Sequence, residues 1–150
     1  MHDIQFSDAQ DLGALNSTGK VSDYVFDMEL EKSGGNTILT NDQVVGVLNI
    51  TIAPLAGQTA AEGMNIRLRS CDNADMTSSS IDLGIVFVSM AEMVAGCVKN
   101  IQVTKNLTQK FLGVWYHPHT STLVTGQVID AHWSIAPLTE NDTIQKVPSR

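Results

Sequence analysis

His117 and His119 are the side chains whose type and spacing come nearest to metal chemistry. Two imidazoles at i and i+2 of a strand end point to one face, and imidazole suits zinc or copper. No third ligand accompanies them, and Pro118 between them marks a turn, so surface turn residues are expected rather than a metal centre. Asp72-Asn73-Ala74-Asp75 has the residue types of a calcium loop. It lacks the spaced Asp/Asn-Gly pattern and the later bidentate Glu, which leaves capping of a turn as the expected role. Cys71 and Cys97 lie too far apart for a CxxC site and read as free thiols. Ser70, Ser78, Ser79 and Ser80 have no nucleophile-elbow glycines around them, and the chain contains neither GxGxxG nor GxxxxGKS/T. Asp27 and Glu29 share one face of an edge-like strand, where acids blunt the edge rather than do acid–base work. The sequence therefore predicts no catalytic residue, no cofactor and no metal: not an enzyme.

The elements behind these residues are strands. Lys110–Ile135 reads as a pair of strands joined by the polar turn His117–Thr122, in effect an aromatic hairpin. In the first, Leu112, Val114 and Tyr116 alternate with Phe111, Gly113 and Trp115. In the second, Ile129, Ala131, Trp133 and Ile135 alternate with Val128, Asp130, His132 and Ser134. Only 5% of the residues are aromatic, and both tryptophans fall in this stretch. Such side chains bury about 150–250 Å² each and dominate cores, so Trp115 and Trp133 are expected to pack rather than to stack on a ligand. His132, opposite Trp133, is expected in solvent or at an interface.

Residues 1–20 are polar and read as an N-terminal arm, with a short strand at Asp3–Phe6. From Val21, Tyr24, Phe26, Met28 and Leu30 alternate with Asp23, Val25, Asp27 and Glu29 as a half-buried strand with an acidic outer face. Ser33–Asn36 is a turn, and Gln43–Ile52 is a β-branched central strand that Pro54 and Gly57 end. Met64, Ile66 and Leu68 point inward from Met64–Arg69, while Asn65, Arg67 and Arg69 point outward. The polar stretch Ser70–Ser80 has good turn chemistry and poor core chemistry. Further strands fall at Ile81–Ser89 and Val98–Thr104, around Met90–Gly96, which supports one short helix at most. About seven or eight strands separated by turn signals make an all-β, antiparallel sandwich or barrel. It spans residues 21–138 as one domain, and 139–150 form a C-terminal tail.

Composition narrows the partners. The chain is 43% hydrophobic and 17% charged, too apolar for disorder, and none of its apolar runs approaches the ~20 residues that span a bilayer. The N-terminus carries acids where a signal peptide carries bases. A net charge of −7 argues against a phosphate backbone as partner. No membrane and no nucleic-acid partner is expected.

One resemblance adds to this. An alternating strand runs into LRSCDNADMTSSS (Leu68–Ser80), followed by a strand, the short MAEMVAG turn ending at Gly96, KFLGVWY (Lys110–Tyr116) and TGQVIDAHWSI (Thr125–Ile135). The early SDAQDLG is compatible. In these features, over most of residues 7–148, the chain resembles the capsid cement (decoration) proteins of short-tailed phages of the Bordetella-phage type. It departs from their pattern at Glu31–Asp42 and in the long HPHTST turn. The resemblance implies a jelly-roll-like β-sandwich that forms a homodimer on the outer surface of an icosahedral head. There it would clamp neighbouring subunits of the major capsid protein, in a virion assembled in the host cytoplasm. Asp72, Asp75, Gly96, Leu112, Gly113 and Tyr116 carry over as structural positions. The turn His117, Pro118, His119, Thr120, Ser121 and Thr122 becomes the candidate contact loop. The alternative expectation is a carbohydrate- or receptor-binding sandwich module of a virion.

Overall fold

Apolar at most positions, Gln43–Ile52 is suited to a strand covered on both sides, and it forms the strand on which the first of two sheets is built. The computed structural model describes residues 4–15, 18–27, 39–40, 43–58, 63–77, 79–106, 109–119 and 126–134. In chain order the strands are β1 (Ile4–Asp11), β2 (Lys20–Val21), β3 (Phe26–Asp27), β4 (Leu39–Thr40) and β5 (Gln43–Ile52). β6 (Met64–Cys71), β7 (Ile81–Val88), β8 (Cys97–Asn106), β9 (Phe111–Pro118) and β10 (Val128–Ser134) follow. A helix, α1 (Met90–Ala95), joins β7 to β8.

All pairings are antiparallel. The first sheet runs β1-β10-β5, with β8 paired along the whole of β5 and β4 hairpinned to its start. The second runs β9-β6-β7, with β2 and β3 pairing the two ends of β9 on its other edge. The protein is thus an all-β sandwich of two antiparallel sheets. Its core lies between them: Leu48, Ile50 and Ile52 from β5, and Ile129, Ala131 and Trp133 from β10, face Met64, Ile66 and Leu68 from β6 and Leu112, Val114 and Tyr116 from β9. The inward faces expected for β6 and β10 are those observed, whereas β9 is buried on both sides. Full burial of such a side chain contributes about 1.5–3 kcal/mol.

Four expectations need correction. β9 and β10 are not a hairpin: β9 pairs with β6, β2 and β3, whereas β10 pairs with β1 and β5 in the opposite sheet. The two aromatic runs meet face to face across the core instead of edge to edge. Residues 4–11 are not part of an arm but the edge strand β1, with Phe6 fully buried and Leu12 and Leu15 buried after it. Register shifts between Gln5 and Ser7 and between Ser7 and Gln10, with Ala9 at φ 48°, break the alternation that would have announced it. The half-buried strand expected from Val21 shortens to β2 and β3. Between them Ser22 holds the chain to β9, its N–H donating to Val114 O at 2.8 Å and its hydroxyl accepting from Val114 N at 3.1 Å. Met28, Glu29, Leu30, the Ser33–Asn36 turn, Ile135 and the 139–150 tail lie outside the described residues. Finally, the Ser70–Ser80 stretch does reach a core, because Met76 is fully buried.

A buried polar chain bridges the sheets. The Ser7 hydroxyl lies 2.7 Å from the Tyr116 hydroxyl and donates to Gln10 Oε1 at 2.6 Å, so the phenol must donate to Ser7. Gln10 Oε1 also accepts from Asp23 N at 3.1 Å, and its Nε2 donates to Val21 O at 2.9 Å. Burial pushes the Tyr116 phenol well above the ordinary tyrosine range, so it stays a neutral donor. Leaving buried polar atoms unpaired costs about 1–3 kcal/mol. Ser7→Ala is therefore expected to lower unfolding free energy by about that much in urea denaturation. An unchanged midpoint would remove the bridge from the account of stability.

Candidate functional site

The outer face of the second sheet gathers most of the chemistry-bearing side chains. Alternation along β6 turns Asn65, Arg67 and Arg69 outward. Register then sets Asn65 beside His117 and Phe87, Arg67 beside Trp115 and Ile85, and Arg69 beside Gly113 and Asp82. One carboxylate serves both arginines: Asp82 Oδ2 accepts from Arg67 Nη1 at 2.9 Å and Oδ1 from Arg69 Nε at 2.9 Å. Arg67 Nε is buried without a hydrogen-bond partner. The Arg69 guanidinium sits 5.1 Å from the Trp115 ring centroid and donates from Nη1 to Met76 O at 3.3 Å. Arg69 thus holds the Asp72–Thr77 loop against the sheet, and a cation over an indole is worth about 0.5–2 kcal/mol.

Under that loop lies a second small cluster of Cys71, Met76 and Trp115, flanked by Val21, Val25 and Phe111. Trp115 therefore packs, as expected, but outside the main core. Gly113 makes room for the cluster: a Cβ there would stand 3.2 Å from Val25 Cγ2 and 3.3 Å from Met76 Cε. Asp75 caps the loop by accepting from Thr77 N at 3.1 Å, the turn role expected of it, and this backbone N–H holds its carboxyl below the ordinary range. Asp72 is exposed beside it. Asp27 forms an ion pair with Lys110 at 3.5 Å.

The candidate contact loop is described only at its start. His117 and buried Pro118 end β9, and exposed His119 follows; Thr120, Ser121 and Thr122 lie outside the described residues. His119 Nδ1 accepts from Asn65 Nδ2 at 3.1 Å, and its ring meets Phe87 edge-on at 5.3 Å. Among the described residues, no group of three or more His, Cys, Asp or Glu side chains is placed to hold a metal ion. Neither cysteine is in a disulfide: Cys71 is buried in the small cluster and Cys97 lies at the start of β8. Trp133 belongs to the main core. His132 is half-buried on the outward side of β10.

Three features went unread in the sequence. Asp82 looked like one polar residue in an apolar strand, although Arg67 and Arg69 two residues apart called for an acid nearby. Ile85 and Phe87, in a strand read only as mostly apolar, point outward, 56% and 44% exposed. The third is the Ser89 cap of α1.

There, Glu92 N donates to Ser89 Oγ at 3.2 Å and Ser89 N to Glu92 Oε2 at 2.9 Å, a reciprocal capping box. Lys99 of β8 donates to Glu92 Oε1 at 2.5 Å. Gly96 ends the helix at φ 80°, and a Cβ there would stand 3.0 Å from Pro54 Cδ and 3.1 Å from Ile52 O.

No protein-family model matches this chain, and no curated protein does.

Lys99 first, and then the Ser89 N–H, lower the Glu92 carboxyl from its ordinary value of 4.5. A folded-state value below the unfolded one gives stability that is present above about 4.5 and lost as pH falls through the folded value. Between about pH 5 and pH 3, the thermal midpoint of Glu92→Gln is expected to fall less steeply than that of the wild type. Parallel curves would show that the pair adds no pH-dependent stability.

Proposed function

We propose that this chain is a virion structural protein, a cement or decoration protein on the outer surface of an icosahedral phage capsid. It binds the major capsid protein there, pairs with its own copies, and strengthens contacts between capsid subunits. The observation that carries the reading is the strand order. The pairings nest through the chain: β1 with β10, β2 and β3 with β9, β5 with β8, and β6 with β7. That nesting over two facing sheets supports the jelly-roll form implied by the resemblance, an architecture that capsid and lectin domains share.

Fold alone does not choose between those two, and the surface favours the first. The two tryptophans that would stack on a sugar ring are buried, Trp115 at 9% and Trp133 at 5% exposure. The outer faces carry polar and apolar side chains suited to broad wet contacts, and several weak contacts together supply attachment that no one patch must provide. The −7 charge favours a place outside the shell, away from packaged nucleic acid.

The test is to mix the purified chain with heads stripped of decoration. The chain is expected to co-sediment with the heads and to raise the temperature at which they release DNA. Heads that neither bind it nor gain resistance to heat or osmotic shock would end the cement reading.

A further inference from the structure

Among the described residues, β7 pairs with β6 and with no other strand, so its second side is an open sheet edge. Open edges are commonly guarded by charge, proline, bulges or covering segments. The other long edges of the sandwich follow that rule. β1 exposes Asp8 and Asp11 and carries two register shifts. β8 exposes Asn100 and Gln102 and contributes Lys99 to an ion pair. β7 (IDLGIVFV) has neither lysine nor proline; its one register shift, at Leu83, lies near its start and leaves Gly84–Val88 in regular pairing with β6, and its one charged residue, Asp82, is turned back onto Arg67 and Arg69 of its own sheet. Ile85 and Phe87 stand exposed from it, with Ile81 and Met90 exposed at its two ends.

We infer that β7 is the contact through which two copies of this chain associate, edge to edge and antiparallel about a two-fold axis. The second sheets of the two copies then become one continuous sheet. An axis near Val86 sets Ile85 against Phe87 across the junction, and such an isologous contact closes on itself as a dimer.

Charge selects the second copy as occupant. Two chains of net charge −7 repel, and at the β1 edge their meeting would oppose Asp8 and Asp11 to like charges. At β7 each copy brings one carboxylate already shared by two guanidinium groups, so no unpaired acid faces another. Area agrees. Ile81, Ile85, Phe87 and Met90 together leave roughly 300–400 Å² of apolar surface per copy. A standard interface takes about 800 Å² per partner, of which roughly 450–520 Å² is apolar. The β7 edge supplies about two thirds or more of that, and strand-to-strand hydrogen bonds add the polar part.

This deepens the self-association within the proposed function, and its test uses the free chain, so a failure to bind heads leaves it standing. Sedimentation equilibrium of the full chain should give twice the 16.2 kDa chain mass. Phe87→Glu and, separately, Ile85→Lys should each weaken the dimer at least ~100-fold, with circular dichroism and thermal midpoint close to wild type. Asp8→Lys on the β1 edge should leave the dimer intact. A wild type that stays monomeric at ~100 µM overturns the inference. So does a dimer that survives both β7 substitutions, or one that Asp8→Lys dissolves.

Discussion

The contact between the Ser7 and Tyr116 hydroxyls joins the two sheets at a depth where water cannot substitute for either partner. Around it, Gln10 and the backbone of Val21 and Asp23 complete the hydrogen bonding, so a polar group in each sheet is satisfied only when both sheets are in register. Hydrophobic burial pulls the sheets together without direction. This chain of hydrogen bonds says which edge of one sheet belongs over which edge of the other. At the opposite side, the Ser89–Glu92 box and Lys99 fix the crossing from β7 to β8. The sandwich is therefore closed at one side by a buried polar network and at the other by a capped turn of helix.

That arrangement explains which parts could be read from residues alone. Period-2 alternation located the inward faces of β6 and β10, because one side of each strand is buried along its length. The edge strand β1 escaped because two register shifts and the turned backbone at Ala9 scramble its pattern, leaving Ser7 and Gln10 buried where alternation predicts no simple face. The placement of β9 and β10 escaped for another reason: adjacency in sequence suggests a hairpin, as it does for β6 and β7, yet the nested pairing sends β9 and β10 to opposite sheets. Periodicity carries no information about which sheet receives a strand.

Surface chemistry was legible only in part. The turn role of Asp75 follows from its residue type and neighbours, and the structure shows it. The Arg67–Asp82–Arg69 group depends on a bulge between Leu68 and Arg69 that brings Asp82 into line, and no local pattern signals it. Outward Ile85 and Phe87 were hidden by the same cause, since the bulge lets both Leu83 and Gly84 approach the core and changes which face follows.

The pairing of β1 with β10 has a mechanical side. Ile4 lies opposite Trp133, so the described chain enters and leaves the first sheet at the same end of the same strand pair. Tension applied at those two points would draw β1 and β10 apart crosswise and break their hydrogen bonds one after another. It would not load them all together, as a pull along the strand axes would. A sandwich joined in this way yields most readily to force through its own ends. Force spread across its sheet faces meets the full stack of core side chains.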